Sequence, residues 1–85
     1  MKKFNYTIKD QLGLHARPVS NLVKILEKYN IEAAIIKGDK SAQADHLLAL
    51  MQLGVKKGDT ITVEIDGPDE EFAEKEIETF FCESL

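Results

Sequence analysis

The chain has 85 residues, 44% of them hydrophobic and 31% charged; this composition describes one globular domain with a single core rather than a disordered or fibrous chain. Its formal charge of −4 speaks against a general nucleic-acid binder, which needs clustered lysine and arginine for counterion release. No apolar run approaches the roughly 20 residues that span a bilayer, and Met1-Lys2-Lys3-Phe4-Asn5 lacks the apolar stretch of a signal peptide, so a cytoplasmic location without direct membrane insertion is expected.

Phe4, Tyr6 and Ile8 alternate with Asn5, Thr7 and Lys9, the period of a half-buried strand. Residues 10–14 then read as a loop, with Gly13 as its flexible point. Pro18 has φ fixed near the helical value and no N–H, so it belongs in the first turn of a helix. Val19, Leu22, Val23 and Leu26 recur at helical spacing, which extends that helix over 17–29. Asn30 reads as its stop, because Asn tolerates the left-handed conformation. Residues 31–37 form a second strand, Gly38-Asp39 a turn, and residues 40–44 a short, polar edge strand. A brief helix over 46–53 has Asp45 or His46 as its N-cap, Asp45 being the better capper by residue type. Gly54 ends it.

After the Lys56-Lys57-Gly58-Asp59 turn, residues 60–66 form a fourth strand. Ile61, Val63 and Ile65 face one way, and Thr60, Thr62 and Glu64 the other. Gly67-Pro68-Asp69 opens a last helix whose Asp69, Glu70 and Glu71 complement the positive end of its dipole. Ala73, Ile77, Phe80 and Phe81 supply its buried stripe, with Phe72 placed to join it. Cys82, the only cysteine, excludes an intrachain disulfide and reads as a half-buried thiol beside Phe80 and Phe81.

The order is β-α-β-β-α-β-α, uninterrupted by repeat or linker, and the whole of 1–85 reads as one domain. One apolar sheet face and three helices with one apolar stripe each give an α/β (α+β) two-layer sandwich. Its mainly antiparallel four-stranded sheet carries all three helices on one face. The other face, bearing Asn5, Thr7, Thr60 and Thr62, meets water. A ferredoxin-like split β-α-β arrangement has nearly the same element order, and order alone does not separate the two.

The chemistry concentrates in Gly13-Leu14-His15-Ala16-Arg17-Pro18. His15 lies just before a helix N-terminus, where unpaired amides and the macrodipole favour an anion, and Arg17 adds a permanent fork of donors suited to phosphate. A neutral imidazole attacks phosphorus through a ring-nitrogen lone pair without a separate base, and its ordinary pKa of roughly 6.5 leaves it substantially neutral near pH 7. The positive helix end disfavours imidazolium and stabilises the incoming phosphoryl charge. Phosphoryl transfer needs mostly positioning and electrostatics, so this small apparatus suffices if a partner supplies the other half. No metal set, nucleotide-binding glycine loop or cofactor motif accompanies it. The expected role is that of a carrier with a phosphohistidine intermediate, not a stand-alone enzyme.

These residues resemble the histidine-containing phosphocarrier (HPr) family of the bacterial phosphoenolpyruvate-dependent sugar phosphotransferase system. The resemblance spans nearly the whole chain and includes Leu50-Met51-Gln52-Leu53-Gly54 and Lys57-Gly58-Asp59. It implies an open-faced β-sandwich, with His15 phosphorylated on Nδ1 and Arg17 holding the phosphate and contacting partners. The amides near Ala16 and Arg17 would surround the phosphoryl group, and Pro18 would set the helix entrance. The implied partners are phosphorylated Enzyme I as donor and sugar-specific IIA domains as acceptors. The implied docking surface takes Ser20 and Lys24 from the first helix and Leu47, Leu48 and Met51 from the second. Packing alone assigns Leu47 and Leu50 to the core and leaves Leu48 and Met51 outside. Nothing demands more than a monomer.

Two positions depart from the family pattern. His46 stands where many Gram-positive relatives carry a regulatory serine, so regulation by the HPr kinase/phosphorylase is not expected; His46 reads as an exposed helix-start residue. Leu12 stands where relatives often place a small polar residue able to hydrogen-bond near the active histidine. Two other readings use the same scaffold: a non-catalytic regulatory adaptor resembling the Crh branch, and a paralogue serving a nitrogen-type phosphotransferase chain.

Overall fold

The computed structural model describes residues 2–85. Its elements are β1 (Lys2–Thr7), α1 (Ala16–Tyr29), β2 (Glu32–Lys37), β3 (Lys40–Gln43), α2 (Leu47–Gln52), β4 (Thr60–Asp66) and α3 (Glu70–Ser84). The four strands form one sheet in the order β1-β4-β2-β3, and every neighbouring pair is antiparallel.

The register explains the burial. Phe4 opposes Val63, Val63 opposes Ile35, and Ile35 opposes Ala42; opposed residues share a face, so one apolar row crosses all four strands. A second row joins Ile65 to Ala33, and Tyr6 stands opposite Ile61. These side chains and the buried stripes of the helices make one core cluster, which puts the helices on this face. Phe81 of α3 fixes the β1 side of the layer: its ring lies 5.9 Å from Phe4 and 5.4 Å from Tyr6, centre to centre. The opposite face is polar and open, with Thr7 bonded to Thr60 and the Thr62 hydroxyl donating to Asn5, both at 2.8 Å.

Helix α1 buries Pro18, Val19, Leu22 and Leu26, and leaves Val23 half-buried. It ends on Asn30, whose φ of 52° is left-handed. The Asn30 N–H donates to the Glu27 carbonyl at 3.3 Å and the Ile31 N–H to the Leu26 carbonyl at 3.1 Å, the paired bonds of a Schellman end. Ile31 is thereby taken up by the helix end, so β2 begins one residue later than the alternation alone implies.

Four expectations need correction. Phe72 is 70% exposed: it adjoins the Ala73–Ile77 stripe in sequence but points off it. Cys82 is exposed, not half-buried. Leu47 is 42% exposed while Leu50 is fully buried, because a helix of only six residues turns little more than one apolar position inward. Neither Asp45 nor His46 caps α2 with its side chain; Asp45 Oδ1 instead approaches His46 Nε2 at 3.7 Å.

Candidate functional site

The site begins with the turn that delivers His15. Asp10 organises it: its carboxylate accepts from the Leu12 N–H at 2.8 Å, and its carbonyl accepts from the Gly13 N–H at 3.0 Å. Its own N–H donates to the Leu85 carbonyl at 2.8 Å. This is an Asx-type turn closed by glycine at its fourth position. Gly13 is buried rather than merely flexible, with φ +68°, and a Cβ built there would lie 2.9 Å from the Lys56 Cα and collide with the Val55 carbonyl. Leu14, 4% exposed, donates its N–H to that same carbonyl at 3.2 Å. The loop is thus stitched to the segment that follows α2.

His15 comes next, half-buried, as the N-cap of α1, with extended backbone (φ −138°, ψ 177°) and no hydrogen bond from its ring to the helix. Its carbonyl accepts from the Val19 N–H at 3.2 Å. The amides of Ala16 and Arg17 precede the first helical bond and have no acceptor within α1, while Pro18 brings no amide at all. No acidic residue stands in the first turn. Ala16 and Arg17 are exposed, and Arg17 forms no ion pair among the described residues. A titratable nitrogen therefore sits beside two free N–H groups, a helix dipole and an uncommitted guanidinium, an arrangement suited to receiving an anion.

Further along α1, Ser20 and Lys24 lie on the exposed stripe that Arg17 begins. The Ser20 hydroxyl is turned back on its own helix, donating to the Ala16 carbonyl at 3.0 Å. On α2, Leu47, Leu48 and Met51 are 42%, 73% and 47% exposed. The close approach of Gly13 and Leu14 to Val55 ties this helix's C-terminal end to the histidine loop. That link carries no local sequence signal, whereas the loop over residues 10–14 was legible, and its Asp10-to-Gly13 spacing also marks the turn type.

Comparisons with known proteins show the family and the fold. Residues 2–83 match the family model described as the PTS HPr component phosphorylation site. The phosphocarrier protein HPr of Mycoplasma genitalium is 39% identical over 74 residues, which cover 86% of this chain and 84% of that protein. The structure of a mycoplasmal histidine-containing phosphocarrier protein superposes with a TM-score of 0.87 at 32% identity, covering 98% of this chain and 94% of the other. The catabolite repression protein Crh of Bacillus subtilis, a swapped dimer, superposes with a TM-score of 0.75 at 25% identity, covering 100% and 98% of the two chains. These likenesses select the open-faced sandwich over a ferredoxin-like arrangement.

Proposed function

The chain belongs to the HPr family of phosphocarriers, and from that premise we propose that it carries a phosphoryl group on His15, from phosphorylated Enzyme I to sugar-specific IIA domains. The observation that supports this best is the placement of a half-buried, solvent-reachable imidazole at the N-cap of α1, beside two amides without helical acceptors. In the transfer, the Nδ1 lone pair attacks phosphorus while the proton resides on Nε2. The new N–P bond forms as the bond to the donor's leaving atom breaks, and the electron pair leaves with the donor. The Ala16 and Arg17 amides hold the transferred oxygens, and the Arg17 guanidinium stabilises the charge spread over them. Pro18 fixes the direction in which α1 meets them.

The partner surface on this reading comprises Ser20, Lys24, Leu47, Leu48 and Met51 around the histidine. The carrier acts in the cytoplasm, as one domain over 1–85 and as a monomer; no helix among the described residues is long and apolar enough to cross a membrane. Incubation with phosphoenolpyruvate and Enzyme I yields an acid-labile phosphoprotein, and His15→Ala abolishes it. Persistent labelling of that variant shows that another residue is the acceptor. The likeness to Crh supports an adaptor as the second reading: a stable complex with a transcriptional regulator and no transfer from Enzyme I would establish it instead.

A further inference from the structure

Among the described residues five large apolar side chains are exposed, and four of them, Leu12, Leu47, Leu48 and Met51, lie in segments 11–26 and 46–57. Those two segments contain no Asp or Glu, although the chain has 15, and the contacts of Gly13 and Leu14 with Val55 hold them together. Leu12 is 73% exposed and sits three residues before His15. Single exposed leucines are ordinary, but this one is held in position. Its own N–H is fixed by the Asp10 carboxylate, and the next residue is locked against the Lys56 backbone. A side chain presented from a rigid turn loses little freedom when it is buried by a partner.

We propose that Leu12 is a specificity-determining residue of the docking face: it inserts into an apolar depression, bordered by carboxylates, on the phosphoryl donor protein. This rests on the carrier reading and deepens it. The cations of these two segments, Arg17, Lys24, Lys56 and Lys57, select the carboxylates, because the adjoining Asp10 and Asp59 carboxylates are already engaged within this chain; an aliphatic side chain selects the apolar floor, since a polar floor would be left desolvated and unpaired against it. Leu12 acts on docking alone. It offers no side-chain hydrogen bond to the imidazole, so the chemical step does not depend on it.

The test is steady-state phosphorylation of the full chain by Enzyme I and phosphoenolpyruvate. Leu12→Ala raises the KM for this chain roughly tenfold, the effect of leaving one leucine-sized contact unmade. Its kcat stays at the wild-type value, and Leu12→Met, which keeps the apolar bulk, restores the KM. Both variants keep the wild-type thermal midpoint, because the side chain makes no core contact; a shifted midpoint would mark a structural role. An unchanged KM in the alanine variant overturns the inference, and so does a fall in kcat at constant KM, which would place Leu12 in the chemistry. These results presuppose labelling of the wild-type chain on His15. Absence of that labelling overturns the carrier reading together with this one, whereas normal labelling with an indifferent Leu12 overturns this one alone.

Discussion

Gly13 and Tyr6 show how single positions set the conditions for the site. At Gly13 the left-handed φ of +68° and the backbone of Val55 and Lys56 leave no room for a Cβ. Gly13→Ala therefore costs about 2 kcal/mol or more in urea unfolding, the sum of αL strain and a backbone displacement. Because the displaced loop carries His15, phosphorylation slows in the same variant. Tyr6 presents the opposite situation. Its ring packs on Phe81, but its hydroxyl oxygen is buried with no partner among the described residues. Burial, reinforced by the nearby Cys82 thiol, holds the phenol above its ordinary value of 10.0. Tyr6→Phe keeps the packing and removes the unpaired group, so unfolding free energy stays level or rises by up to about 1 kcal/mol. In the wild-type protein the unfolded chain ionises first as pH climbs past the ordinary tyrosine value, so stability falls there. The phenylalanine variant has a shallower alkaline decline, measurable as the urea midpoint against pH.

The elements are joined at the site end by a polar clamp. The Lys37 ammonium, at the end of β2, donates to the Gly54 carbonyl at 2.8 Å and pairs with Asp59 at 3.0 Å; the Lys56 N–H donates to the same carboxylate at 2.8 Å. The clamp thus ties β2 to the segment between α2 and β4, against which the His15 loop is stitched. The Lys56 amide bond, then the Lys37 bond, holds the Asp59 carboxyl below its ordinary value of 3.8. Above that value both folded and unfolded chains are ionised and the clamp's stabilisation is complete. As pH falls through it the unfolded chain takes up its proton first, and stability is lost until the folded carboxyl protonates as well. Asp59→Asn therefore lowers the urea midpoint at pH 7 and flattens its acid decline below about pH 4; an unchanged acid limb would show the clamp to be inert. Much of this architecture was legible in the chain. Thr60–Asp66 alternates cleanly between two faces and matches its strand end for end, and Pro18 with the Val19–Leu26 spacing marked α1 and put His15 at its start. Helix α2 resisted because nearly every residue in Leu47–Leu53 is apolar, so no period distinguishes inside from outside. The clamp and the Gly13–Val55 contact resisted for a different reason: they join segments about 20 to 40 residues apart, the first through a lysine and a carboxylate and the second through backbone atoms, and neither leaves a local periodicity.

Over the whole molecule, charge is sorted by position. Segments 11–26 and 46–57, which build the site face, hold Arg17, Lys24, Lys56 and Lys57 and no carboxylate. With the total at −4, these four cations leave −8 on the remaining residues (−4 − 4 = −8). Helix α3 alone carries Glu70, Glu71, Glu74, Glu76, Glu78 and Glu83 against Lys75. Such a molecule approaches an acidic partner with its histidine face forward and is turned away when reversed, which raises productive encounter and weakens with salt over the Debye length. Individual exposed charges contribute little to the bound state, so the separation governs association rate more than final affinity. Raising ionic strength from about 20 to 200 mM should lower the second-order rate of phosphorylation by Enzyme I by roughly tenfold, with kcat at saturating carrier unaffected. Lys56→Glu combined with Lys57→Glu replaces two of these four cations with carboxylates, at exposed positions outside the core. The double variant loses most of the low-salt rate and most of the salt slope together. A salt slope equal to that of the wild-type chain would show that the sorted charges do not steer the encounter.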